Sequence, residues 1–109
     1  VNGQNAFGVN WDNVDYFVSN PAHGSQLNSF QLVLIDRSDI APGDFDIEFN
    51  YDEILWETGD ASGGTNGLGG SSARAGYTNG VNNSFEFAGS GVNGALLDGG
   101  PAATSLTQN

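Results

Sequence analysis

The residues of this chain that could do chemistry are mostly carboxylates. Thirteen Asp and Glu face two Arg and no Lys, giving a net charge of -11 at pH 7 over 109 residues. One group, Asp36, Asp39, Asp44 and Asp46, lies in and around a Pro-Gly loop. It offers oxygen ligands suited to Ca²⁺, although the spacing is not that of an EF-hand. A second group, Asp44, Asp46 and Glu48 with Asn50, recurs at every other residue and so shares one face of a strand. If the chain turns back at Asp52-Glu53, Glu57 stands opposite Glu48, and like charges directly opposite destabilise a strand pair. Compensation would come from Arg37 or Arg74, from a bound Ca²⁺, or from water. A solvated acidic face is the simplest of these, because exposed charges are well screened. Two carboxylates without a defined cleft do not make a glycosidase pair.

Other catalytic arrangements lack their parts. The one histidine, His23, sits in a Pro-Gly loop, and no serine has the flanking residues of a nucleophile elbow. The GTNGLGGSS stretch has neither the lysine nor the following helix of a phosphate cradle. Cysteine is absent, which removes disulfides and thiolate chemistry. A non-enzymatic role is therefore expected. Trp11 and Trp56 could stack on sugar rings. Trp56 is in phase with Phe49 and Ile54 and is expected in the core. Trp11, next to Asp12 and Asn13, has the polar surroundings of a ligand-facing ring, with core packing as the default for it too. These three are the candidates for glycan contact.

The acidic balance disfavours nucleic acid and anionic membrane surfaces as partners. No run of about 20 apolar residues offers a membrane span.

The elements that must position these groups are strands. Phe30, Leu32, Val33, Leu34 and Ile35 make a short segment apolar on both faces, as expected of a central strand. After Ala41-Pro42-Gly43-Asp44, strict alternation puts Phe45, Ile47, Phe49 and Tyr51 on one face. The parity slips at Asp52-Glu53. A two-residue hairpin would restore one apolar face, and is favoured on length, but Asp-Glu is poorly suited to positive φ. A bulge in one long strand is the alternative. A similar slip at Asp12-Asn13 separates Phe7, Val9 and Trp11 from Val14, Tyr16 and Val18, and reads as a bulge or tight turn. Ser19 to Gln26 reads as a loop.

Asp60 to Ser72 has one large apolar residue, Leu68, and is expected to be a mobile surface loop. A three-residue loop at Gly80, Val81 and Asn82 would pair Tyr77 with Phe85 and Ala75 with Phe87. The Gly- and Ala-rich remainder is expected to be irregular, with a short helical turn near Ala102 to Gln108. Seventeen glycines and these strand patterns predict an all-β chain. Residues 1–109 are read as a single domain, a small antiparallel β-sandwich of six or seven strands with Gly-rich loops.

The succession NSFQLVL, FNYDEILWETG, ARAGYTNG and SFEF, preceded by VNWDNVDYF, resembles the nidogen-like extracellular domain. Asn28, Phe30 and Gln31, the set Tyr51, Ile54, Trp56, Thr58 and Gly59, and the set Ala75, Gly76 and Tyr77 carry the resemblance and look fold-determining, and Phe49 is read as fold-determining with them. The likeness implies a secreted or cell-surface adhesion or matrix module without a catalytic set, with an extracellular protein as partner. A carbohydrate-binding β-sandwich is the alternative. The family pattern usually adds an aromatic segment before Val1 and an aliphatic strand after Asn109. The expectation is therefore a fragment of a longer chain, or one completed by strand addition from a copy of itself.

Overall fold

A computed structural model describes residues 1–19 and 25–107, so His23 and most of the 19–26 loop lie outside the described residues. Strands β1 (Ala6–Val14), β2 (Asn28–Asp36) and β3 (Phe45–Ile54) form an antiparallel sheet in the order β1-β2-β3. Strands β4 (Gly76–Thr78) and β5 (Ser84–Glu86) form a separate hairpin. The chain is all-β, as expected, with five strands among the described residues where six or seven were expected.

β2 is central, which accounts for its apolar character on both faces. The register aligns Trp11 with Phe30 and Phe30 with Tyr51, then Val9 with Leu32 and Phe49, then Phe7 with Leu34 and Ile47. These rows make one continuous apolar face. On the opposite face Asn10, Gln31 and Asn50 form an amide ladder. Gln31 Nε2 donates to Asn10 Oδ1 at 2.7 Å, and Asn50 Nδ2 donates to Gln31 Oε1 at 2.8 Å. Ile35, on that second face, is buried and lines a small cavity with Val1, Asn2 and Gln4.

The favoured hairpin at Asp52-Glu53 does not form. β3 continues to Ile54, with Ser29 opposite Glu53 and Phe30 opposite Tyr51, so Asp52 is the extra residue of a bulge. A bulge shifts the side-chain parity without the positive φ that Asp-Glu tolerates badly. Glu48 consequently faces Val33 rather than Glu57. The slip in β1 is also a bulge: Asp12 and Asn13 fall between the Trp11–Phe30 and Val14–Asn28 pairs. Asn13 takes φ 52°, and its N–H donates to Ser29 Oγ at 3.0 Å. Both outer strands thus gain a residue beside Ser29, and the three strands can bend together there.

The hairpin pairs Tyr77 with Phe85, the register expected from keeping the aromatics on one face. Its loop is held by Asn79, whose side-chain oxygen accepts from the N–H groups of Val81, Asn82 and Asn83. Gly76 has to be glycine, because a Cβ there would collide with the Phe85 carbonyl oxygen. Phe87, one residue past β5, meets Phe49 edge-on with ring centroids 5.4 Å apart and docks the hairpin on the apolar face of the sheet.

Residues 60–72 are a largely exposed surface loop, as expected, with defined backbone contacts to the rest of the chain. They include a short 3-10 turn, Asp60–Ser62, and the Gly67 carbonyl accepts from the N–H groups of Glu57 at 2.8 Å and Thr58 at 3.2 Å. Gly67 is buried at φ 79°, so close to the Trp56 Cβ and the Tyr16 ring that a Cβ would lie 2.7 Å and 3.1 Å from them. Glycine backbone can fill a core wall without apolar side chains, which composition alone does not reveal. Beyond residue 88 the chain is a run of turns. At Ala102 to Gln108 no helix forms among the described residues, only one turn in which Thr104 and Ser105 both donate to the Pro101 carbonyl at 2.9 Å. The buried apolar residues are Tyr16, Ile35, Ile54, Ala95 and Leu96, and no large side chain among the described residues is completely enclosed.

Candidate binding face

The apolar face of the sheet is only partly covered. Beneath the hairpin and the C-terminal turns lies a cavity of about 280 Å³ lined by Trp11, Phe30, Leu32, Phe49, Tyr51, Ile54, Trp56, Leu96, Leu97 and Leu106, among others. Burial raises the pKa of Tyr51 from its ordinary value. An aromatic row crosses the strands here, with Trp11 stacked on Phe30 at 5.0 Å and Phe30 tilted against Tyr51 at 6.3 Å. Farther along the sheet nothing among the described residues covers Phe7, 66% exposed, or Phe45, 59% exposed. The hairpin adds Tyr77 and Phe85, stacked on each other and also exposed.

Of the three ligand-facing candidates, Trp11 is 37% exposed, and Asp12 and Asn13 are exposed in the bulge. Trp11 and Asp12 share one shallow concavity, lined also by Asn10, Ser29, Phe30, Gln31, Asn50, Tyr51 and Asp52, and Asn13 is not part of its lining. Trp11 also belongs to the aromatic row. Trp56 is half-buried, with Nε1 donating to the Val14 carbonyl at 3.0 Å and its ring 5.9 Å from that of Tyr16. Among the residues read as fold-determining, Phe30, Phe49 and Tyr51 build the apolar face and Gln31 is the middle of the amide ladder. Gly59 lies so close to Phe17 that a Cβ would sit 3.0 Å from its carbonyl oxygen.

The four aspartates proposed as calcium ligands are distributed differently. Arg37 binds two of them, Nε to Asp39 Oδ1 at 3.0 Å and Nη1 to Asp46 Oδ2 at 2.8 Å. Asp36 accepts from both the N–H and the hydroxyl of Ser38. Among the described residues no three carboxylates or other ligating groups come together to hold a metal ion. Arg37, one of the two cations weighed for the acidic face, thus lies between Asp39 and Asp46. Arg74 takes a different acid, Glu86, at 2.7 and 2.9 Å.

These contacts have a pH signature. Hydrogen bonds from Ser38 lower the Asp36 pKa, and hydrogen bonds from Arg37 lower that of Asp39. Folded values below the unfolded ones mean that folding favours the ionised forms. Their contribution is present above the ordinary carboxylate range and is lost as pH falls through the folded values. Arg37→Ala is expected to return Asp39 toward its ordinary pKa, and an NMR titration of the aspartate carboxyl carbons reads that shift. An unchanged Asp39 midpoint would refute the assignment.

Glu57 is a residue that strand patterning misplaces. It is buried, and its carboxylate accepts from the N–H groups of Gly69 at 3.2 Å and Gly94 at 2.7 Å. The available signal is an acid inside the run Ile54-Leu55-Trp56-Glu57-Thr58, followed by glycines whose N–H groups have no side chain to shield them. Asn28 is comparable: its side chain donates to the Trp56 carbonyl and accepts from the N–H groups of Leu55 and Trp56.

Comparison with known proteins settles the family, since residues 1–103 match the nidogen-like domain. The chain belongs to the nidogen-like domain family. Chicken (Gallus gallus) alpha-tectorin is 41% identical over 87 residues, covering 77% of this chain. Alpha-tectorins of mouse (Mus musculus) and human (Homo sapiens) are each 39% identical over the same share. The chain spans only 4% of the length of each of these relatives. No solved structure matches it at a significant level. This nidogen-like domain is extracellular, as its family and relatives are. No helix among the described residues is long and apolar enough to cross a membrane.

Proposed function

We propose that this nidogen-like domain is a non-catalytic adhesion and assembly module that binds extracellular protein through the uncovered part of its apolar sheet face. The observation that carries the reading is the exposure of Phe7, Phe45, Tyr77 and Phe85 on one side of a chain whose opposite sheet face bears the Asn10–Gln31–Asn50 ladder. Apolar patches of this kind on extracellular surfaces mark interaction sites. The strong negative charge keeps the remaining surface soluble and leaves the aromatics as the adhesive part.

Carbohydrate binding is the second reading, favoured by the accessible Trp11 ring stacked on Phe30. One experiment separates the two. Labelled domain is bound to an extracellular-matrix preparation before and after enzymatic deglycosylation, in parallel with a glycan array. Saturable binding that survives deglycosylation and falls at least about tenfold in the double variant Phe45→Ser, Phe85→Ser is the expected result. Both rings are already exposed, so their loss leaves the core intact. Binding abolished by deglycosylation, with saturable binding on the glycan array that Trp11→Ala removes, would replace this reading with the carbohydrate one.

A further inference from the structure

The sheet has two edges, and they differ in charge. β3 carries Asp46, Glu48, Asp52 and Glu53, a run of like charge that repels a second strand. β1, AFGVNWDNV, carries only Asp12, and all its residues except Val9 and Val14 are exposed. The Asp36 N–H donates to the Asn5 carbonyl at 2.9 Å, which fixes which residues of β1 bond to β2. In an antiparallel ladder the bonded residues alternate. Asn5, Phe7, Val9 and Trp11 therefore face β2, and Ala6, Gly8, Asn10 and Asp12 present their N–H and C=O groups outward. Those outward groups have no main-chain partner among the described residues.

We infer that the partner at this edge is a second copy of the chain, joined antiparallel through β1 about a two-fold axis at Val9. This rests on the assembly reading above and names its partner. The register follows from the two requirements just given. Apolar faces must coincide, and outward groups must meet outward groups. Centring on Val9 satisfies both, placing Gly8 opposite Asn10 and Ala6 opposite Asp12 of the second copy, each pair exchanging both main-chain bonds. The same register puts Phe7 opposite Trp11 of the second copy, in the closer non-hydrogen-bonded type of pair. The most exposed aromatic of the sheet thereby covers the accessible indole. No two carboxylates stand directly opposite, because each Asp12 faces an alanine. Gly8 leaves space for the Asn10 amide of the second copy, and Asn10 Nδ2 has no partner among the described residues. The amide ladder thus ends on a donor at the joining edge. An isologous contact of this kind closes as a dimer with a continuous six-stranded sheet.

Sedimentation of the 109-residue chain across concentration should show a monomer–dimer equilibrium. Gly8→Pro removes an outward N–H without touching the bonds to β2, and Phe7→Glu puts a charge against Trp11. Each should weaken dimerisation at least about tenfold, with unchanged circular dichroism serving as the folding control. The chain has no cysteine, so a single Val9→Cys variant is a clean reporter. On the axis its Cα atoms would approach to about 4.5 Å, within disulfide reach, and mild oxidation should link the dimer. Glu53→Cys on the other edge should stay unlinked. A chain that remains monomeric and unlinked at several hundred micromolar, a dimer indifferent to both substitutions, or linkage through position 53 instead of 9 would each overturn the inference. Matrix binding retained by Gly8→Pro would leave the module reading standing even then.

Discussion

Trp56→Ala is expected to destabilise the domain by about 3 to 5 kcal/mol, and Trp11→Ala by about 1 to 2. The difference comes from surroundings. Trp56 packs against Tyr16 and the Gly67 backbone and satisfies the Val14 carbonyl through its indole N–H. Removing it opens a hole in a core where no large side chain among the described residues is completely enclosed, and leaves that carbonyl without its partner. Trp11 loses mainly one stacking contact with Phe30, because more than a third of it is already in water. Domains of this size have total stabilities of about 5 to 15 kcal/mol, so the Trp56 variant should melt well below the parent. Urea denaturation of both variants checks the ranking, and a larger loss at Trp11 would contradict it.

The second large effect is expected at Glu57. Its carboxylate gathers the Gly69 and Gly94 N–H groups, its own N–H donates to the Gly67 carbonyl, and its carbonyl accepts from Ala73 at 2.7 Å. One residue therefore ties two glycine-rich segments to the end of the sheet. Hydrogen bonds to a charged acceptor contribute about 1.5 to 3 kcal/mol each, and buried donors left without partners cost further. Glu57→Ala should lose about 3 to 6 kcal/mol. Glu57→Gln should lose less, because an amide oxygen still accepts one of the two bonds while its NH₂ group faces the other donor. Hydrogen exchange localises the effect: the amides of Gly69 and Gly94 should lose protection before those of β2. Uniform loss across the chain would show that Glu57 acts on global stability rather than on these segments.

The exposed aromatics and the bare β1 edge belong to one argument about assembly. A protein of net charge -11 repels copies of itself unless the contact surface is nearly neutral. β1 meets that condition and β3 does not. In the proposed dimer the acids on β3 would disfavour pairing through the other edge, while Arg37 anchors Asp39 and Asp46 at the turn between β2 and β3.

The sequence by itself determined the all-β class, the central place of the Phe30–Ile35 segment, the apolar phase of Phe45 to Tyr51 and the Tyr77–Phe85 register. All of these follow from period-two patterning, which is local and therefore readable in one dimension. It also carried the motifs that resemble the nidogen-like family. Tertiary structure decided between hairpin and bulge at Asp52, because both keep the same apolar face and differ only in which strand lies alongside. It decided that the 60–72 loop has one buried point, Gly67, whose backbone is pressed on Trp56 and Tyr16 and offers no side chain that hydropathy can count. It moved Glu57 from a supposed partner of Glu48 to a buried acceptor of two N–H groups, and paired Arg37 with Asp39 and Asp46, two of the four aspartates read as calcium ligands. Those outcomes depend on which distant groups meet, and one chain read in order does not contain that information.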